Sequence, residues 1–223
     1  MTRRYDAVVF DLDGTLLDTL DDLKAALDHV RSTVGLGPLD VGEVRKLLGN
    51  GYRKFVASAL PGGSHTPGFE GLLEGFKVFY GEHCDVRTRP YPHVDELLGA
   101  LDDAGVACAV VSNKGHEAVR DLVRRHFDGL LDPDLSFGEK AGIPRKPAPD
   151  MVHIALDLLG VDADRALYVG DSEVDHATAR AAGVDCALVS WGFRSRDVLE
   201  ALHPTFLVDD VSSLERVILG IRP

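Results

Sequence analysis

An open parallel α/β sheet carrying a helical insertion is the fold class that this sequence predicts. Three observations lead there. Short β-rich runs at 7–10, 106–111, 166–169, 186–189 and 206–208 are mostly apolar throughout rather than alternating, as in parallel strands covered on both faces. Amphipathic patterns at 94–104, 117–126, 150–159 and 175–182 lie between them, and strand–helix alternation builds such sheets. Residues 17–85 break the rhythm, with helical patterns at 18–34, 41–48 and 69–84 and no convincing strand. The expected organisation is a core of residues 1–16 and 86–223 with an all-helical insertion at 17–85. Within the insertion, 61–68 (PGGSHTPG) is a loop by composition, and 89–92 (RPYP) is a stiff return linker.

The size and charge of the chain narrow its functions. At 223 residues it is one large domain or a domain with an insertion. The hydrophobic fraction of 45% and charged fraction of 27% are ordinary for a globular protein, and a core of this size needs no disulfide or metal staple. Cys84, Cys108 and Cys186 are odd in number and widely spaced, without a C-x-x-C; Cys108 and Cys186, inside apolar runs, are expected as small buried hydrophobes, and a reducing cytoplasm fits better than secretion. Thr2, Arg3 and Arg4 lead straight into the first strand-like run, so neither a signal peptide nor a membrane span is expected. A formal net charge of −12 argues against nucleic acid as a partner, because that binding needs clustered Lys and Arg. An anionic ligand would require its own local positive field, from a metal, a lysine or helix N-termini.

In an open parallel sheet, ligands bind beyond the carboxyl ends of the strands. The first run is followed by Asp11-Leu12-Asp13-Gly14-Thr15, the second by Ser112-Asn113-Lys114, and the third by Gly170-Asp171-Ser172-Glu173-Val174-Asp175. Lys146-Pro147 opens the helix before the third run. Four polar clusters thus converge on one edge. Such residue types suit phosphate ester hydrolysis. An aspartate nucleophile forms an acyl phosphate and divides a very slow reaction into two easier steps. Mg²⁺ held by carboxylates, with a lysine, neutralises the repulsion between nucleophile and phosphate. A second carboxyl two residues on can protonate the leaving group and then deprotonate water.

The segments DLDGTLLDT, VVSNK, RKPAPD and YVGDSEVD, in this order, resemble the four motifs of the haloacid dehalogenase superfamily of phosphohydrolases. The resemblance covers nearly the whole chain. It implies a Rossmann-like core with a helical cap at 17–85, Mg²⁺ as cofactor and a small phosphorylated metabolite as ligand. It also implies roles: Asp11 as nucleophile and metal ligand, and Asp13 as general acid/base with its backbone carbonyl on the metal. Thr15, Ser112, Asn113 and Lys146 would form the phosphate pocket, Asp171 would ligate the metal, and Asp175 would be a second carboxylate near the metal or its waters. A monomer or homodimer is expected.

Simpler readings exist for these residues. Asp11 could be a turn aspartate, Ser112 a helix N-cap and Lys146 a surface lysine. Asp171 and Asp175 could be dipole stabilisers at a helix start, sharing a face through their spacing of four. Asp21-Asp22, Asp102-Asp103 and Asp209-Asp210 read as solvated, and Trp191 and Phe193 as core or rim packing. The histidines show no zinc spacing, and Gly63 and Gly68 lack the lysine of a P-loop. A dehalogenase would not need Asp13. A phosphomutase shares the core residues but favours D-G-V-x-x-D over Gly14-Thr15-Leu16-Leu17-Asp18. A signalling receiver domain would be shorter and lack D-x-D, and a binding protein with a vestigial site would not keep every acid. Among phosphatases the chain looks most like those for phosphoglycolate, through Leu48-Gly49-Asn50-Gly51, Ser112-Asn113-Lys114 and 142–150 (GIPRKPAPD). Backbone N–H groups at Gly49 and Asn50, with Arg53 as a fork for a carboxylate, would suit a small anionic leaving group. Pyrophosphate and small sugar phosphates stand behind it. His93 departs from the glycine usual in that family.

Overall fold

The computed structural model describes residues 4–221; Thr2 and Arg3, read as the lead-in to the first strand, lie outside them. The chain divides into two compact units, Met1–Leu17 with Pro90–Pro223, and Asp18–Arg89.

In the α/β unit, β1 (Ala7–Phe10) lies inside a six-stranded sheet. Beyond the insertion follow α5 (Val94–Asp103), β4 (Ala107–Gly115), α6 (His116–His126), β5 (Ser136–Glu139), α7 (Asp150–Leu159), β6 (Ala166–Gly170), α8 (Glu173–Ala182), β7 (Asp185–Val189), α9 (Arg196–Glu200), β8 (Phe206–Val208) and α10 (Val211–Leu219). The strand order is β5-β4-β1-β6-β7-β8, and every pairing is parallel. Alternate residues Ala7, Val9, Ala109, Val111, Tyr168 and Leu188 pack with Val152 and Leu156 of α7 and Ala179 of α8. The opposite set, including Val8, Phe10, Val110, Leu167 and Val169, is equally buried. Both faces are therefore covered, which is why these strands read as continuous apolar runs.

One strand runs well past its expected end, and one is not expected from the sequence at all. β4 runs on to Gly115 because Gly115 pairs with Glu139 of β5. β5 itself (SFGE) has a single large apolar residue, so as an edge strand it gives almost no hydrophobic signal. The β4–β5 register shifts between Val111 and Gly115, across Ser112-Asn113-Lys114. Such an irregularity re-aims side chains.

The helical unit holds α1 (Leu20–Thr33), α2 (Val41–Leu47), α3 (Gly51–Ser58) and α4 (Phe69–His83), with a short 3-10 turn at Gly63–His65. At its ends lie the two-residue strands β2 (Leu17–Asp18) and β3 (Arg89–Pro90), which pair with each other. Asp40 caps α2 through a complete capping box with Glu43. α3 begins directly after Asn50, so the glycine-flanked loop is shorter than the sequence suggested. Asp22, read as solvated, is buried instead. Its Oδ2 accepts from the backbone N–H groups of Val86 (3.0 Å), Arg87 (2.9 Å) and Thr88 (2.9 Å), and from Thr88 Oγ1 (2.9 Å). The helical period puts Asp22 on the stripe of Leu23, Ala26, Leu27 and Val30, where a carboxylate persists only because these donors satisfy it.

His93 is the N-cap of α5 at φ 67°, in the left-handed region. That backbone explains why glycine suits this position. The imidazole lies exposed, 2.9 Å from Glu96 Oε2.

Asp22→Ala should destabilise the protein by about 2–3 kcal/mol, since it leaves several donors without their charged acceptor. Asp21→Ala should stay within about 0.5 kcal/mol. Urea midpoints at constant slope check both; equal midpoints would show that the Asp22 cluster contributes nothing.

Candidate active site

The register sets Phe10 level with Val110 of β4 and Val169 of β6, so Asp11 comes level with Val111 and Gly170, and Ser112 and Asp171 follow one residue further on at the same edge. The Asp11 N–H donates to Val169 O at 2.8 Å, which extends the ladder by one residue. Two contacts fall on the same oxygen of its carboxylate: the Leu12 N–H donates to Oδ1 at 2.7 Å, and Lys146 Nζ lies 2.9 Å from it.

The chain then turns sharply. The N–H groups of Leu16 and Leu17 both donate to Leu12 O at 3.0 Å, and Gly14 sits at φ 88°. A Cβ at Gly14 would overlap the Asp171 carboxylate and come within 2.9 Å of the Phe193 ring, so the turn requires glycine twice over. Trp191 Nε1 donates to Thr15 O at 3.1 Å. Thr15 Oγ1 is buried and has no hydrogen-bond partner among the described residues.

Lys146 lies in the segment between β5 and α7 and is buried. Its Nζ meets Asp175 Oδ1 at 2.7 Å and Tyr168 Oη at 2.9 Å, besides Asp11. Asn113 Nδ2 donates to Lys146 O at 3.1 Å, and Ser112 Oγ accepts from the Lys114 N–H at 3.2 Å. Asp175 is 0% exposed. Besides Lys146, its Oδ1 accepts from Tyr168 Oη at 3.1 Å, and its Oδ2 from Ser172 Oγ at 2.5 Å. Asp171 precedes α8 rather than lying on it, so the two carboxylates meet through a turn and not through a shared helix face. Asp171 Oδ2 accepts from the Phe193 N–H at 2.6 Å. On the other flank, Lys114 Nζ meets Asp13 Oδ1 at 2.8 Å.

Carboxylate oxygens of Asp11, Asp171 and Asp175 lie within 4.8 Å of one another; Lys146 meets two of them directly, and Arg194 acts on Asp171. The electrostatic consequence is large. Burial, then the Asp175 charge, pushes Asp11 up to about 7 against the pull of Lys146. Burial and the Asp175 and Asp11 charges likewise raise Asp171 well above the carboxylate range. Burial would lower Lys146, but Asp11 and Asp175 outweigh it and hold the ammonium well above its ordinary value. A site with three buried carboxylates and one ammonium has the donor set and the unmet negative charge that fit a hard divalent cation.

Asp11, Asp13, Thr15, Ser112, Asn113, Lys146, Asp171 and Asp175 thus all belong to the α/β unit. Gly49, Asn50 and Arg53 belong to the helical unit. There Asn50 is the N-cap residue of α3, and Arg53 Nη2 donates to both carboxylate oxygens of Glu70, at 2.8 and 2.6 Å. Sequence reasoning did not single out Tyr168 or Ser172, and it named Lys114 only as part of a motif. It read Phe193 and Trp191 as core or rim packing; Phe193 is buried accordingly, while its backbone N–H also orients Asp171 and the Trp191 indole N–H holds the turn at Thr15. A phenol within an otherwise apolar strand, and a lysine directly after two small polar residues, were the available signals.

Carboxylates and a lysine gathered at the carboxyl edge of a parallel sheet are the residue types that handle phosphoryl groups. Residues 8–189 match the model of the haloacid dehalogenase-like hydrolase family. The chain belongs to that family, and it is a phosphatase of the phosphoglycolate phosphatase-like kind. It is 36% identical over 216 residues to the phosphoglycolate phosphatase of Rhodospirillum rubrum, covering 93% of this chain and 88% of that one. It is 35% identical over 198 residues to the N-acetylmuramic acid 6-phosphate phosphatase of Pseudomonas aeruginosa, covering 85% and 84%. A crystal structure described as a phosphoglycolate phosphatase, from Lactobacillus delbrueckii subsp. bulgaricus, superposes with a TM-score of 0.91 at 37% identity, covering 97% and 99%. Among the described residues, no helix is long and apolar enough to cross a membrane.

Two outcomes follow from the buried network. Tyr168→Phe removes a partner from both Lys146 and Asp175 and should lower stability by about 1–3 kcal/mol, read from denaturant midpoints. The second concerns pH. Asp11 has a folded value near 7, above its ordinary 3.8, so its contribution to stability is full below about 4 and is lost as pH rises through 7. In EDTA, Asp11→Asn should therefore gain in Tm over the wild type as pH rises from 4 to 8, and added Mg²⁺ should stabilise the wild type more at pH 8 than at pH 5. A pH-independent difference would contradict the charge excess.

Proposed function

We propose that the protein is a Mg²⁺-dependent phosphomonoester hydrolase that works through an aspartyl phosphate on Asp11, with a small phosphorylated carboxylic acid such as 2-phosphoglycolate as substrate. The observation that carries this reading is the Asp11 carboxylate itself. It stands at the end of an inner strand, with Oδ1 held by Lys146 and the Leu12 N–H, which leaves Oδ2 for phosphorus. In the first step Asp11 Oδ2 forms a bond to phosphorus, the ester P–O bond breaks, and the Asp13 carboxyl gives its proton to the departing oxygen. In the second, Asp13 takes a proton from water as its oxygen attacks phosphorus, which releases phosphate and restores the Asp11 carboxylate. The Lys146 ammonium offsets the charge of the phosphoryl group. Ser112, Asn113 and the buried Thr15 hydroxyl are assigned to its oxygens.

Asp11 and Asp171, with the Asp13 carbonyl and with Asp175 close by, are the residues that would hold Mg²⁺. When bound, the ion supplies charge neutralisation and orients the reacting oxygens. The helical unit is assigned as the family's cap, and a cytoplasmic location rests on the cysteine usage. The names of the relatives support the acid: phosphoglycolate and N-acetylmuramic acid 6-phosphate are both phosphate esters that carry a carboxylic acid. The second of them keeps a phosphorylated sugar acid as an alternative substrate.

A substrate panel tests the proposal. kcat/KM should be highest for 2-phosphoglycolate or N-acetylmuramic acid 6-phosphate, ahead of pyrophosphate, neutral sugar phosphates and nucleoside monophosphates. Nucleotides faster than both acids by tenfold, about 1.4 kcal/mol in transition-state stabilisation, would overturn the acid but not the hydrolase. Asp11→Asn should lose at least about a thousandfold in kcat, and Asp13→Asn about 10²–10⁴-fold, with Asp21→Asn unchanged as control.

A further inference from the structure

We propose that Lys114 is a positioning residue for the leaving-group acid. It holds Asp13 by Oδ1, so that Oδ2 faces the departing oxygen. The proposal rests on the reading of Asp13 as general acid and deepens it. The Lys114 side chain is 0% exposed, and that of Asp13 is 18% exposed. A lysine enclosed this completely loses its hydration, and an apolar residue would fill the same strand position at no such cost. Fold stability alone therefore does not account for it.

The backbone is shaped to bring it there. Lys114 lies within the register irregularity of β4, and its own N–H donates to Ser112 Oγ. Across the ladder stands Gly138, where a Cβ would come 2.5 Å from Lys114 O and 2.7 Å from His116 Cα. The neighbouring strand thus gives up a side chain to let the Lys114 segment approach. With Nζ 2.8 Å from Oδ1, rotation of the Asp13 carboxylate about its Cβ–Cγ bond is restrained. The two ammonium groups then divide the work: Lys146 faces the nucleophile, and Lys114 faces the acid. The bond changes are those of the first step, in which the ester P–O bond breaks and the proton moves from Asp13 Oδ2 to the leaving oxygen.

General-acid help matters most when the departing alcohol is a poor leaving group. The test is therefore kcat/KM across phosphate monoesters graded from a nitrophenyl ester, through phenyl, to alkyl esters, for the wild type, Lys114→Met, Lys114→Gln, Asp13→Asn and the Asp13→Asn/Lys114→Met double variant. The alkyl-to-nitrophenyl ratio does not depend on the fraction of active enzyme, so a partly folded preparation still gives a valid result. Both Lys114 variants should lose about 10–100-fold more on alkyl than on nitrophenyl esters. Asp13→Asn should show the same selective loss, and the double variant should show no greater selectivity than Asp13→Asn. An even loss on all esters in the Lys114 variants, beside a selective loss in Asp13→Asn, would overturn the role of Lys114 alone. An even loss in Asp13→Asn would overturn the assignment of Asp13, and that of Lys114 with it.

Discussion

Lys146 sits between carboxylates from two separate elements, Asp11 after β1 and Asp175 in the first turn of α8, and the remaining geometry of the site follows from that constraint. Asp11, Asp171 and Asp175 are too deeply buried to be solvated, and too close together to be charged without compensation. One ammonium answers part of the charge. Tyr168 and Ser172 satisfy oxygens of Asp175, the Phe193 N–H satisfies one of Asp171, and Gly14 removes the side chain that would collide with Asp171. Each of these contacts fixes a carboxylate in place. What they leave unmet is net negative charge, on a donor set that fits a divalent cation.

The sheet supplies the precision. Parallel pairing with β1 on the inside places three strand ends at one edge, so residues as distant in the sequence as Asp11 and Asp175 meet. Asp11 and Asp13 are two residues apart, but the turn at Gly14 sends them to different lysines. Asp11 meets Lys146 and Asp13 meets Lys114. Two neighbouring carboxyls with separate partners stand in separate electrostatic surroundings.

Much of this was legible in the sequence because the strands are buried on both faces and their ends carry the chemistry. β1, β6, β7 and β8 stand out as apolar runs; Asp11 and Asp13 follow β1, Asp171 follows β6, Ser112 lies in β4 and Lys146 precedes α7. What escaped has physical causes. β5 is an edge strand with one large apolar residue. Tyr168 hides in an apolar run because its ring belongs there, and only its hydroxyl reaches the site. Asp21 and Asp22 look alike in the sequence, yet the helical period turns one to solvent and the other onto the buried stripe with Ala26 and Val30. Arg53 reads as a carboxylate fork, and its guanidinium is paired with the exposed carboxylate of Glu70.

The central claim is that Asp11, held by Lys146 and freed at Oδ2, takes the phosphoryl group covalently. The direct measurement is to quench the enzyme in acid during turnover of 2-phosphoglycolate, reduce it with borohydride and map the product by peptide mass spectrometry. An acyl phosphate is reduced to the alcohol where a free carboxylate is not. The account expects reduction at position 11 alone, dependent on both substrate and Mg²⁺. Turnover with the Asp11 carboxylate intact, or reduction at another aspartate, would contradict it.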